Sequence, residues 1–215
     1  MKLICSNMKR QILTILALTL VLAAGAQKPV EVIDAVLKKM QAGAVTTNYM
    51  LSLTDKNTPT PQIFRGKMTM QGSKFLIEAN GMKIIFDGKT QWAYSADDNE
   101  VTITEPTQEE ISQMNPIALV KAYKQACRII FSVTEKEQNF HVLEFYPKDK
   151  FADLKCLTIY VNKASNVPAR LVMTTLSGSR TEMKFTGVKT AQKVDAKIFQ
   201  YNPSEFPEAE INDLR

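Results

Sequence analysis

Catalytic raw material is scarce in this chain. Among its 215 residues there is one histidine, His141, and nowhere does the G-x-S-x-G, H-E-x-x-H or phosphate-loop spacing occur. Catalysis needs a base, nucleophile or metal cluster held in mutual reach, and a lone mid-strand histidine is read as structural before it is read as a general base. The three cysteines, Cys5, Cys127 and Cys156, follow no zinc-ligand spacing with that histidine. The acidic run from Asp97 to Glu100 lacks the central glycine and later bidentate glutamate of a calcium loop, so it reads as a solvated hairpin tip. The expectation is therefore a protein that is not an enzyme and holds no metal or cofactor. Long hydrophobic runs are missing too. The longest, Ile12 to Ala24, has 13 residues, short of the ~20 that a spanning helix needs.

That one run has another reading. It follows Lys9 and Arg10 and ends in Ala24-Gly25-Ala26 before the polar Gln27, the pattern of a secretory leader with an A-x-A cleavage site after Ala26. Cys5 lies upstream of the run, so the arrangement of a lipoprotein cleavage site is missing. Met8 precedes a leader of more usual shape than Met1 does, and either start yields the same mature chain. Removing residues 1–26 takes Lys2, Lys9 and Arg10 with it, and the formal charge of +5 falls to +2. The remaining basic residues are scattered and not interleaved with aromatics, which removes the case for nucleic-acid binding. Residues 27–215 are long enough for one core and form a single expected domain. In an oxidising compartment Cys127 and Cys156 fit either a disulfide or two buried thiols.

Along the chain, Val32, Ile33, Val36, Leu37 and Met40 recur at helical spacing behind Pro29 and stop at Gly43. From Thr46 the pattern changes to β-branched and aromatic runs cut by turn residues. Phe75–Ala79 and Met82–Phe86 flank Asn80-Gly81, which supplies the positive φ angles of a type I′ hairpin. Asp87-Gly88 reverses the chain again into Thr90–Tyr94, and Val101–Thr104 returns. Thr107-Gln108-Glu109-Glu110 then has capping-box spacing, and Asn115-Pro116 breaks and restarts the helix that begins there. Strands resume near Ile129 and continue through Phe140–Tyr146, Leu154–Asn162, Ala169–Leu176 and Thr181–Val188. A last strand is expected over Phe199–Asn202, ahead of a proline-punctuated tail. This is a mainly β chain built as an antiparallel meander with a few helices. A sheet of so many strands curls as its twist accumulates, giving every strand a concave side that the helices cover.

Alternation sorts the apolar residues onto one side of each strand. Met68 goes with Met70, Phe75 with Ile77, Ile84 with Phe86, and Trp92 with Tyr94. Leu143 goes with Phe145, Leu157 with Ile159, and Leu171 with Met173. Ile117, Val120 and Tyr123 form the apolar side of the inserted helix. Eight methionines survive leader removal, several of them on strands, and methionine is over-used at surfaces that accept apolar partners of varied shape. These positions are the candidate lining of a hollow; a filled core explains the same alternation.

The stretch Asp87-Gly88-Lys89-Thr90-Gln91-Trp92-Ala93-Tyr94 resembles the D-G-K-x-x-W-x-Y hairpin of the LolA family of outer-membrane lipoprotein carriers. The N-terminal helix, the Asn115-Pro116-Ile117 insert, the late Ala196-Lys197-Ile198-Phe199 strand and the terminal Phe206-Pro207 to Arg215 fall in matching order. The resemblance implies an incomplete β-barrel with a helical lid, enclosing an apolar cavity for acyl chains. It further implies a monomeric periplasmic carrier of acylated lipoproteins or another envelope lipid, with only transient membrane contact. An inner-membrane transporter would be its donor and an outer-membrane receptor its acceptor. A protein-interaction module of the same fold without a lipid cavity is the alternative. In enterobacterial members an arginine in a K-R-P stretch helps latch the lid. The matching region here reads Met70-Gln71-Gly72-Ser73-Lys74, and Lys74 cannot replace a planar, multidentate guanidinium.

Overall fold

A computed structural model describes residues 27–58, 60–149 and 152–215. The expected leader, residues 1–26, lies outside the described residues. Helix α1, Pro29–Met40, starts with its proline in the first turn, and the Glu31 carboxylate accepts from the Lys28 backbone N–H at 3.0 Å. Its apolar stripe, Val32, Ile33, Val36 and Met40, is buried.

Twelve strands follow: β1 Ala44–Thr54, β2 Gln62–Gln71, β3 Lys74–Ala79, β4 Met82–Phe86, β5 Gln91–Ser95, β6 Glu100–Thr104, β7 Cys127–Phe131, β8 Phe140–Pro147, β9 Leu154–Asn162, β10 Pro168–Thr175, β11 Arg180–Gln192 and β12 Glu210–Asp213. They make one open curved sheet in the order β12-β6-β5-β4-β3-β2-β1-β11-β10-β9-β8-β7. The hairpin turns fall where the sequence places them, with Asn80 and Gly81 both at positive φ. All pairings are antiparallel except β12 on β6, which is parallel. The curvature has local causes. A Cβ on Gly66 would stand 2.1 Å from the Glu78 carbonyl oxygen, so only glycine lets β2 approach β3 this closely. The β1–β11 ladder slips twice between Ala44 and Asn48, and such bulges increase twist.

Helices α2, Gln108–Met114, and α3, Pro116–Ala126, are inserted between β6 and β7. Strand β6 lies next to one edge of the sheet and β7 is the opposite edge. The insert therefore has to cross the concave face, where α3 packs on α1, β7 and β8. The capping box is formed as expected: Thr107 Oγ1 accepts from Glu110 N, and Glu110 Oε2 accepts from Thr107 N at 2.7 Å. Asn115 caps α3, its Oδ1 accepting from Ile117 N and Ala118 N at 3.0 and 3.3 Å.

Two expectations for the C-terminus are corrected. No strand forms over Ala196–Asn202: Ala196–Phe199 is a 3-10 turn capped by Asp195, and a second turn, Pro203–Glu205, follows. The tail in turn supplies β12. Phe199 is fully buried, and its turn rests on β3 and β4.

Candidate functional site

Ladder register fixes which side chains face the helices. Directly paired residues share a face, and the chain of pairs Met70–Phe75–Phe86 and Met68–Ile77–Ile84 runs across β2, β3 and β4. On the other half the pairs Leu143–Ile159–Leu171–Met183–Leu51 and Phe145–Leu157–Met173 cross β8, β9, β10, β11 and β1. With α1 and α3 these make one apolar interior.

Most of that interior is solid. Met68, Met70, Phe75, Phe86, Leu143, Phe145, Leu157 and Ile159 are fully buried, and Ile77 nearly so. Phe75 and Phe86 stack with centroids 5.1 Å apart. Ile84 is half-buried against the same core.

Space remains in two places. An outer cavity of about 330 Å³ lies between the helices and the β1, β10 and β11 strands, lined by Leu51, Leu53, Leu171, Met173, Thr181 and Met183 from the sheet. Gln113, Pro116, Leu119 and Tyr123 close it from α2 and α3. An inner void of about 20 Å³ lies under α1, bounded by Val36, Met40, Met70, Ile117, Val120 and Val188 among others. Of the residues singled out from the sequence, Leu171, Met173 and Tyr123 line the outer cavity, and Met70, Ile117, Val120 and Leu171 the inner one. The remainder that face inward are packed core. Leu119 and Met183 lie on apolar sides legible in the sequence, whereas Leu51 and Leu53 stand outside them. Leu51-x-Leu53 has the required period of two, but β1 lies at the middle of the sheet through long-range pairing that no local pattern reveals.

Trp92 and Tyr94 lie on the opposite face. Phe86 pairs with Gln91, so Trp92 opposes Ile85 and Tyr94 opposes Lys83. The four-residue connection from Asp87 to Thr90 sets this register, and one residue of slip exchanges the faces. On that outer side Trp92 stacks on Tyr201 at 5.9 Å and Tyr94 meets Phe206 at 4.5 Å.

Polar chemistry is sparse around the cavity. Burial raises the Tyr123 phenol above its ordinary pKa, with smaller contributions from Cys127 and Glu109. His141 stands beside Phe131, centroids 5.8 Å apart, and burial followed by the Lys163 charge lowers its pKa. Among the described residues no group of three or more His, Cys, Asp or Glu side chains is placed to hold a metal. Cys127 and Cys156 are both free. Cys127 pairs with Pro147 on the interior side, whereas Cys156 alternates outward with Thr158, so the sheet stands between them.

The model of the family described as outer membrane lipoprotein carrier protein LolA matches residues 41–202. The chain belongs to the LolA family. Its fold is also that of an uncharacterized conserved protein from Thermus thermophilus, at a TM-score of 0.55 and 13% identity over 85% of this chain and 97% of that one. A LolA superfamily protein from Nitrosomonas europaea aligns at a TM-score of 0.42 and 10% identity, over 82% of this chain and 99% of that one. A putative outer membrane lipoprotein-sorting protein domain from Vibrio parahaemolyticus gives 0.42 and 12%, over 78% and 93%. No curated protein matches the sequence. In this LolA-family chain no described helix is long and apolar enough to cross a membrane.

Proposed function

We propose that the mature chain is a periplasmic carrier that shelters the acyl chains of a lipoprotein, or of a related envelope lipid, between donor and acceptor membranes. The observation that carries this reading is the apolar cavity of about 330 Å³ between the helical insert and the sheet. That volume falls within the roughly 300–1,000 Å³ of small-molecule sites. The family match supports the choice of cargo.

An acyl chain gains about 0.8 kcal/mol per buried methylene, so roughly 15 methylenes are held to a membrane by on the order of 12 kcal/mol. A carrier needs comparable burial, and it also has to release. This chain has no nucleotide-binding motif to drive release, so loading and unloading depend on partners: an inner-membrane transporter as donor and an outer-membrane receptor as acceptor. The methionines at the wall, Met173 and Met183, adjust to an occupied or empty hollow at little cost.

Residues 27–215, purified and stripped of lipid, are expected to bind a fluorescent acyl probe and to extract an acylated lipoprotein from membranes. A protein that does neither is not a carrier, and the interaction module of the same fold then becomes the reading.

A further inference from the structure

The outer cavity and the inner void are neighbours with a common wall. Leu171 and Pro116 contribute to both, Leu171 from the sheet and Pro116 from the first turn of α3. Beyond the wall the inner void continues the apolar space, and at about 20 Å³ it is too small for an alkyl chain as it stands.

That void is built to enlarge. Its boundary is hydrocarbon from α1, α3 and β11, and the one hydroxyl there, Thr47 Oγ1, is already shared between the backbone carbonyls of Asn48 and Thr186 at 2.9 and 3.1 Å. No polar group is stripped of a partner when an alkyl chain enters. The polar tie between α1 and α3 is the ion pair of Asp34 with Lys124, exposed to solvent and therefore weak. Moving α1 away from α3 breaks that pair and leaves the α3 cap at Asn115 untouched.

We infer that the Leu171–Pro116 wall is the chain-length determinant of the carrier: short acyl chains stop in the outer cavity, and long ones pass the wall and end under α1. This rests on the carrier reading above and adds where the chain terminus lies. Val188 bounds only the inner void and Met173 only the outer cavity, so the two compartments can be filled separately.

The test titrates delipidated residues 27–215 with fluorescent amides of octanoic and palmitic acid. Val188→Trp, at a half-buried position, should weaken palmitoyl binding about tenfold, the equivalent of expelling one or two methylenes, and leave octanoyl binding unchanged. Met173→Trp should weaken both. Unchanged octanoyl affinity also certifies that Val188→Trp is folded. The inference is overturned if Val188→Trp leaves both affinities unchanged or lowers both alike. A wild-type protein that binds neither probe removes the carrier reading itself, a separate result.

Discussion

The Asn115 side chain is fully buried, yet it has a partner at each end. Its oxygen caps α3, and its Nδ2 donates to the Gly72 carbonyl at 3.4 Å. Gly72 lies in the Met70–Lys74 stretch, so a neutral amide joins the insert to the β2–β3 turn. Removing a cap costs about 1 kcal/mol, whereas Gly72 lies on an exposed turn where water replaces the lost donor. Asn115→Ala is expected to lower unfolding stability by about 1 kcal/mol in urea, and Asn115→Ser, which restores the cap, to recover most of it. On the outer face, Tyr146 donates to Glu144 Oε2 at 2.7 Å, and that hydrogen bond, followed by burial, pushes its pKa up to about 12. An unfolded tyrosine titrates near pH ~10, so the unfolded chain loses its proton first as pH rises. The stabilisation is complete below pH ~10 and is lost on the way to about 12. The urea midpoint should fall across that window, and less steeply in Tyr146→Phe.

Among the elements, those specified by neighbouring residues were legible in the sequence. Asn80-Gly81 demands a tight hairpin, the Thr107–Glu110 pair a helix start, and Asn115-Pro116 a restart, and each lies where its local chemistry puts it. The C-terminal segment was not legible, because its conformation is decided by distant partners. Tyr201 and Phe206 stack over Trp92 and Tyr94, and β12 exists only by pairing with β6. Beneath this strap Ile85, Val101 and Ile103 form a second buried patch on the outer face. The same long-range contact covers Trp92 and Tyr94: two aromatics on a strand suggest a cavity wall until their distant cover is known. Trp92 is the sole tryptophan, so its fluorescence reports on the strap. Tyr201→Ala should shift Trp92 emission to the red and cost about 1–2 kcal/mol of stability, with acyl-probe affinity unchanged. A loss of affinity would return Trp92 to the cavity.

At the scale of the molecule, the order of strands creates the site. Placing β1 at the middle of the sheet, with β6 and β7 near opposite edges, forces the α2–α3 insert to bridge the concave face. A bridge of two short helices fills the space over such a face incompletely, and the gap left beneath it is the outer cavity beside Leu51, Met173 and Leu119. That a curved sheet with a helical cover would form was readable from the strand count and the insert. Which residues would be left without neighbours was not, since a void is a property of all the packing around it and not of any one strand. The most direct test is diffraction from crystals of residues 27–215 grown with a terminally brominated alkyl amphiphile. The account predicts an anomalous bromine peak inside the apolar interior, between the helical insert and β1, β10 and β11. Bromine confined to the outer surface, with that space empty or filled by rearranged side chains, would contradict it.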